Sequence, residues 1–361
     1  MAETSDLLIM WAVILVRLLV PLAIPRYPLP GILVALVADA VDYTVIRDWT
    51  SVPMEGYQGF DKALDIYYLT IGYISTLRNW TNLFAFQVSR FLFYWRLAGV
   101  VLFEATQLRG LLFIFTNAFE YFFIFYEVVR LRWDPKRMSK GLVIGAVAII
   151  WIFIKLPQEY ILHIAQADTT VLTDAILSAL RTSIWAWVAV VVLVALVIVF
   201  IRWLLRRLPA ADWKLKLEAE PLPAGSGGGS KTQPERFFNS ALLEKIIMVS
   251  LVSSIFAQIV PGAQSTFLQL AIAVAFIIIV NSLLSQWLAR RGTEWGSIVI
   301  EFIVMSVVNF GLVLVYAFLL PRFDGSINLG NTLFFVLMLT LLVTLYDRYR
   351  PLHLERFAAD D

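Results

Sequence analysis

Four aspartates lie within or beside two hydrophobic segments of the stretch 34–71: Asp39, Asp42, Asp61 and Asp65. An aspartate at the centre of a membrane-spanning helix costs at least about 2.5 kcal/mol on insertion scales, so carboxylates at such positions indicate a function. Residues three or four apart share one face of a helix, so each pair of aspartates projects from one side of its segment. Two facing helices would therefore gather the four carboxylates into one site.

Such a site suits either a hard cation or protons, because hard cations prefer oxygen ligands and neighbouring carboxylates can share a proton. The chain has no cysteine and two histidines, which excludes thiolate catalysis, iron–sulfur clusters and cysteine-bound zinc and argues against a histidine metal site. Any metal ion should therefore be oxygen-ligated, and Mg²⁺ or Mn²⁺ is the expected cofactor if there is one.

Further charged residues lie at membrane depth in the first half of the chain. At 100° per residue, Arg90 falls on a polar stripe of the proposed fourth span, and a second stripe runs along the fifth. Polar stripes inside a membrane face other helices or water rather than lipid. We expect Arg90 to act as a counter-charge to the aspartates, although Arg17 with Asp39 could form a structural pair. Three glutamates would continue an ion or proton path: Glu104, Glu120 and Glu127.

The overall composition is that of a membrane protein. Apolar residues make up 60% of the chain and aromatic residues 14%, with a mean hydropathy of +0.78. These values lie outside the range of soluble globular domains. The net charge of +2 gives no reason to expect a nucleic-acid partner. The lipid bilayer is the expected environment.

Apolar runs of a length that can cross about 30 Å of hydrocarbon follow one another along the chain. They predict an all-α, polytopic integral membrane protein with about ten or eleven transmembrane helices. The proposed spans are 7–24, 29–46, 60–77, 82–106, 108–129, 141–157, 184–206, 240–260, 265–287, 296–320 and 328–346.

A change of composition divides the chain into two predicted units. Proline, glycine and serine dominate much of 208–235, which predicts a flexible cytoplasmic linker. Residues 1–207 would form an N-terminal unit of about seven spans with a charged core. Residues 236–361 would form a C-terminal unit of about four spans.

The orientation follows from basic residues in the short loops, because lysine and arginine accumulate on the cytoplasmic side. Four basic clusters fall on one side if every span crosses: 130–140, 202–207, 290–291 and 348–350. We therefore expect a multi-pass protein of the plasma (inner) membrane. The linker and the C-terminus would be cytoplasmic, and the N-terminus would lie outside.

The spacing of the aspartates also resembles the signature of the CDP-alcohol phosphotransferases, in the form Asp39-x2-Asp42 followed by Asp61-x3-Asp65. Those proteins are six-helix membrane enzymes. The resemblance implies a two-metal or metal-bridged site that acts on a CDP-linked diphosphate, with Asp65 as the base. Arg47 stands where that family has an arginine, whereas a tyrosine and an isoleucine replace its glycine and alanine. The resemblance covers about 27 residues.

Three functional hypotheses follow. The leading one is a non-enzymatic transporter or channel for a small cation or protons, with the four aspartates as the ion site. The second is a metal-dependent lipid enzyme, in which the same aspartates hold the metal; its nucleotide is cytoplasmic, whereas the basic clusters place the loop 47–60 outside. The third is a non-catalytic component of a membrane assembly. A homo-oligomer or a membrane partner is possible in each case.

Overall fold

The computed structural model describes residues 4–51, 54–165, 178–207, 209–220, 240–259, 272, 274–283, 298–319 and 329–358. Over these residues the regular secondary structure is helical, with no strand, and this confirms the all-α prediction. The remainder of the predicted linker, residue 208 and residues 221–235, lies outside the described residues, as does the basic cluster at 290–291.

The first half of the chain forms α1 (Thr4–Leu19), α2 (Pro28–Trp49), α3 (Met54–Asn79), α4 (Leu83–Thr106), α5 (Gly110–Ile114), α6 (Ala118–Arg130), α7 (Lys140–Ile149) and α8 (Leu156–Glu159). Two π-helical segments, Ile150–Lys155 and Tyr160–Ile164, precede and follow α8, so the helix that begins with α7 continues to residue 164. The second half forms α9 (Ile184–Arg207), α10 (Ser240–Ile259), α11 (Val274–Leu283), α12 (Ile298–Leu319) and α13 (Leu329–Ala358).

Among the described residues, four helical segments are long and apolar enough to cross a membrane: Ser5–Ala23, Pro28–Trp49, Gly110–Arg130 and Lys140–Glu159. The same part of the chain contains three shorter apolar helices, at Ile184–Leu196, Val274–Leu283 and Val299–Leu314. These helices fit the predicted class of membrane protein. The helices α3 and α4 are also long, with 26 and 24 residues, but they carry more polar residues and pack in the interior.

The helix α3 is the centre of the packing. It contacts α1, α2, α4 and α6 from the first predicted unit and α10 and α13 from the second. Its buried Tyr73 stacks on Phe93 of α4 at 4.5 Å between ring centroids, and its hydroxyl donates to Glu244 of α10. One hydrophobic core therefore includes residues from both predicted units.

Polar contacts join the helices of the second half. Lys245 of α10 donates to Asp347 of α13 at 2.8 Å, and Arg350 of α13 pairs with Glu244 at 3.0 Å. Buried Asn281 of α11 donates to Asn309 of α12 at 2.7 Å. Hydrogen bonds between buried polar side chains fix the register of apolar helices, which otherwise slide easily past one another.

Several loops meet at one end of the molecule, which we name the basic end: the loops after α1, α3 and α6, the segment 209–220 and the last turns of α13. Backbone N–H groups of Asp212 and Ala219 donate to carbonyls of the loops after α6 and α1, at 2.9 and 2.7 Å. Arg356 of α13 donates to the carbonyl of Trp80, after α3, at 2.7 Å. The basic clusters 130–140 and 348–350 thus belong to the same end.

The predicted fifth span is interrupted at residues 115–117, between α5 and α6, and this interruption lies against α4. Trp95 and Arg96 donate to the carbonyls of Ile114 and Phe115, at 3.2 and 3.3 Å. A Cβ atom added at Gly99 would lie 2.0 Å from the Cβ atom of Phe115. Glycine at this position therefore allows the broken segment to approach α4.

We expect Gly99→Ala to destabilise the protein, because the new methyl group has no room beside Phe115. Overpacking of this kind typically costs about 1–3 kcal/mol. Gly145→Ala in α7 is the matched control, since nothing lies within 4 Å of the Cβ position there. Thermal unfolding in detergent, followed by tryptophan fluorescence, should show a lower Tm for Gly99→Ala only. Equal Tm values for the two variants would contradict this packing.

Candidate functional site

Arg17 of α1 contacts all four predicted aspartates. Its Nη1 atom donates to Asp42 of α2 and Asp61 of α3. Its Nη2 atom donates to Asp39 of α2 and, at 2.5 Å, to Asp65 of α3. One guanidinium therefore joins three consecutive helices, and we name these five side chains the Arg17 cluster.

Local sequence explains why the three helices bring these side chains together. The i,i+3 and i,i+4 spacings place each aspartate pair on one face of its helix. Close approach of α2 to the preceding turn requires glycine, because a Cβ atom at Gly31 would lie 2.8 Å from the Cα atom of Ile24. One apolar residue from each helix forms a small hydrophobic cluster: Ile14, Ile46 and Leu64.

The Arg17 cluster has an excess of negative charge. Four carboxylates against one guanidinium leave three charges uncompensated within the cluster when every aspartate is ionised. The side chains of Arg17 and Asp42 are 3% and 2% exposed, whereas those of Asp61 and Asp65 are 38% and 43% exposed. Arg17 and Asp42 thus form the closed side of the cluster, and the other aspartates form its open side.

Three carboxylates on the open side lie close enough together to contact one cation. Asp39, Asp61 and Asp65 each offer one carboxylate oxygen, and these oxygens lie within 4.8 Å of one another. Oxygens at this separation can contact one ion, because Mg²⁺ and Ca²⁺ bind oxygen at about 2.0–2.6 Å. Three carboxylates are the ligand chemistry expected for a hard cation.

Glu120 of α6 is close to the Arg17 cluster but separate from it. The hydroxyl of Tyr68, which follows Asp65 on α3 by three residues, donates to Glu120 at 2.7 Å. Asn117 donates to the same carboxylate at 2.8 Å. Lys155, in the π-helical segment after α7, is buried and interacts electrostatically with Glu120. Tyr68 and Lys155 belong to this region although the sequence analysis did not select them.

The structure does not bring the other predicted residues into the cluster. Glu127 accepts hydrogen bonds from Trp80 at 2.9 Å and Arg130 at 2.5 Å, close to the basic end. Glu104 lies near the opposite end of α4, where its carbonyl accepts from Gln107 at 2.9 Å. Neither glutamate is among the carboxylates that Arg17 contacts.

The counter-charge in contact with the aspartates is Arg17, not Arg90. The guanidinium of Arg90 lies 5.9 Å from the ring of Phe86, and Arg90 lines a cavity near the basic end. The sequence signal for Arg17 is that it is the only basic residue in the first predicted span. Arg90 was predicted as the counter-charge from helical spacing alone. Such spacing does not show which helices are neighbours, so it could not distinguish Arg90 from Arg17.

The resemblance to the CDP-alcohol phosphotransferases can be compared with the geometry at two points. The four aspartates do meet, but Arg17 lies among them and takes one oxygen from each. Arg47 pairs with Asp48 at 2.7 Å rather than with these aspartates. Comparison with protein families, curated proteins and solved structures finds no significant match to this chain.

We expect Arg17→Gln to destabilise the protein strongly, because it removes the guanidinium that all four carboxylates contact. Breaking a buried charge pair costs about 3–5 kcal/mol. Arg47→Gln is the matched control: its pair with Asp48 is exposed, and exposed pairs contribute about 0–1 kcal/mol. Thermal unfolding in detergent measures both variants.

A second variant separates lost charge balance from lost packing. Adding Asp42→Asn to Arg17→Gln removes the most buried carboxylate and should recover part of the lost Tm. Two results would be inconsistent with a cluster held together by charge. One is a double variant that is no more stable than Arg17→Gln, and the other is an Arg17→Gln protein that is as stable as Arg47→Gln.

Proposed function

We propose that the protein is a multi-pass transporter or channel of the plasma (inner) membrane that moves a small cation or protons through the Arg17 cluster. The observation that carries the proposal is that four carboxylates share one guanidinium where α1 and α2, two helices apolar enough to cross a membrane, meet the more polar α3. Such charges are costly in a membrane unless an ion or protons neutralise them.

The depth of the cluster supports this function. Asp39 follows the start of α2 by 11 residues, and Asp65 precedes the end of α3 by 14 residues. At 1.5 Å per residue, the two carboxylates lie about 16 and 21 Å from the helix ends at the basic end. A hydrocarbon core about 30 Å thick would therefore contain both of them.

The difference in exposure gives each part of the cluster a role. Buried Asp42 and Arg17 hold the site, while Asp39, Asp61 and Asp65 can exchange a cation or protons from the open side. A bound divalent ion would lower the excess charge from three to one. Tyr68 and Glu120 extend the polar region toward α6 and Lys155.

The proposed topology has about eleven spans, with the basic end in the cytoplasm. It is supported by the alternation of the helices: α1, α3 and α6 end at the basic end, whereas α2, α4 and α7 begin there. The enrichment of arginine and lysine at this end matches the cytoplasmic rule. The N-terminus and the loop after α2 would then lie outside.

We expect Asp39→Asn and Asp65→Asn each to reduce cation or proton flux into proteoliposomes by about tenfold or more, since a charged ligand contributes about 1.5–3 kcal/mol. Asp48→Asn is the matched control on α2, because Asp48 pairs with Arg47 away from the cluster. Flux is measured with pH- and cation-sensitive dyes. Unchanged flux in both cluster variants would refute the transport proposal; co-purification of a stable partner would then favour the assembly component.

The lipid-enzyme hypothesis remains the competing proposal, because the same four aspartates converge. Two features of the geometry count against it. The guanidinium of Arg17 adds a positive charge where a two-metal site needs room for cations. The loop that joins the aspartate pairs contacts the start of α1, where Ser51 donates its N–H to Asp6 at 3.1 Å, and so lies far from the basic end.

Cysteine labelling separates these two functions through their topology, and the absence of cysteine makes single-site labelling clean. We expect Ser51→Cys to react with a membrane-impermeant thiol reagent in intact cells. Ala210→Cys, exposed in the segment 209–220, is the control and should react only after permeabilisation. Reversed labelling would put the aspartate loop in the cytoplasm and favour the lipid enzyme.

A further inference from the structure

A cavity of about 310 Å³ lies between the start of α4 and the end of α13, near the basic end. Leu83 and Phe86 of α4 and Leu354 and Phe357 of α13 supply its apolar walls. Its size is at the lower limit for small-molecule sites, which measure about 300–1,000 Å³. The cavity lies apart from the Arg17 cluster, on different helices.

The polar lining of this cavity is basic. Arg90 and Gln87 of α4 face Arg350 and His353 of α13 across it, and both charged lining groups are arginines. Arg90 forms no ion pair with the described residues. Arg350 uses one nitrogen to pair with Glu244, at 3.0 Å.

Two polar atoms of the lining are buried without a hydrogen-bond partner: Nε of Arg350 and Nδ1 of His353. A buried polar atom that lacks a partner costs about 1–3 kcal/mol, more when it is charged, so such atoms point to a ligand. Both lie on the same face of α13, three residues apart.

The pKa of His353 reflects its burial and the positive charge around the cavity. Burial lowers its pKa to about 3, and the nearby cations Arg350, Arg356 and Arg90 add to the effect. Because the pKa is lowered, the imidazole stays neutral at physiological pH and keeps one N–H donor. The same positive field attracts an anion.

We propose that this cavity binds a phosphate group, held by Arg90 and Arg350 from opposite helices and by a hydrogen bond from His353. Arginine is the preferred partner of phosphate oxygens, since its guanidinium presents several N–H donors in a fixed plane. The apolar walls fit the acyl part of a phospholipid, and an inorganic phosphate ion would use the same donors. The site lies at the proposed cytoplasmic surface, where both sources are present.

Histidine side-chain NMR of the full chain in neutral detergent tests the proposal, because the protein has two histidines and therefore gives two sets of ring signals. Inorganic phosphate is titrated in one arm, and dioleoyl phosphatidic acid in the other. We expect a saturable shift of the His353 signals in at least one arm, with no shift of His163. Saturation with lipid alone identifies a headgroup site, and saturation with inorganic phosphate identifies a site for the free ion.

Arg90→Gln should weaken binding by roughly 10- to 100-fold, the effect of losing one charge-assisted hydrogen bond. Arg132→Gln removes the same charge from an exposed position at the basic end and should leave the Kd unchanged. Absence of a saturable shift in both arms of the wild-type titration would overturn the proposal, whatever the stability of the variants. Equal weakening by both substitutions would also overturn it, because it would indicate general attraction to a basic surface.

Discussion

The contact of one buried guanidinium with four carboxylates constrains the first half of this protein. Arg17 is 4% exposed, and its partners come from two other helices, so α1, α2 and α3 cannot move apart without leaving charges unpaired in an apolar environment. The tight turn at Ile24 and Gly31 and the cluster of Ile14, Ile46 and Leu64 support the same arrangement through packing. Charge and packing therefore favour one relative position of the three helices.

The helix α3 carries this constraint to the rest of the molecule. Asp61 and Asp65 face α1 and α2, Tyr68 reaches α6 through Glu120, and Tyr73 reaches α10 through Glu244. A central helix that is polar on several sides can be buried only if each neighbour supplies a matching group. This requirement explains how α3 can be buried although it is less apolar than the helices that it contacts.

Part of this architecture could be predicted from the sequence. The i,i+3 and i,i+4 spacings identified two aspartate pairs that share a face, and the structure does bring these pairs together. Arg17 was recognised as a possible partner of Asp39, but its contact with all four aspartates depends on the packing of three helices. The sequence has no glycine or proline to mark the break between Ile114 and Ala118, because that break is stabilised by Trp95 and Arg96 of another helix.

The prediction of Arg90 as a counter-charge shows a second limit of sequence patterns. A helical stripe identifies the residues that share a face, but it does not identify the helix that the face meets. Arg90 faces the end of α13, which is more than 250 residues later in the chain, and there it meets Arg350 and His353 instead of carboxylates. The structure thus separates the charges that the sequence grouped: an acidic cluster partway along α2 and α3 and a basic cavity near the helix ends. Arg350 also pairs with Glu244, the acceptor of Tyr73, so one chain of polar contacts links the basic cavity to α3 and thus to the helix of Asp61 and Asp65.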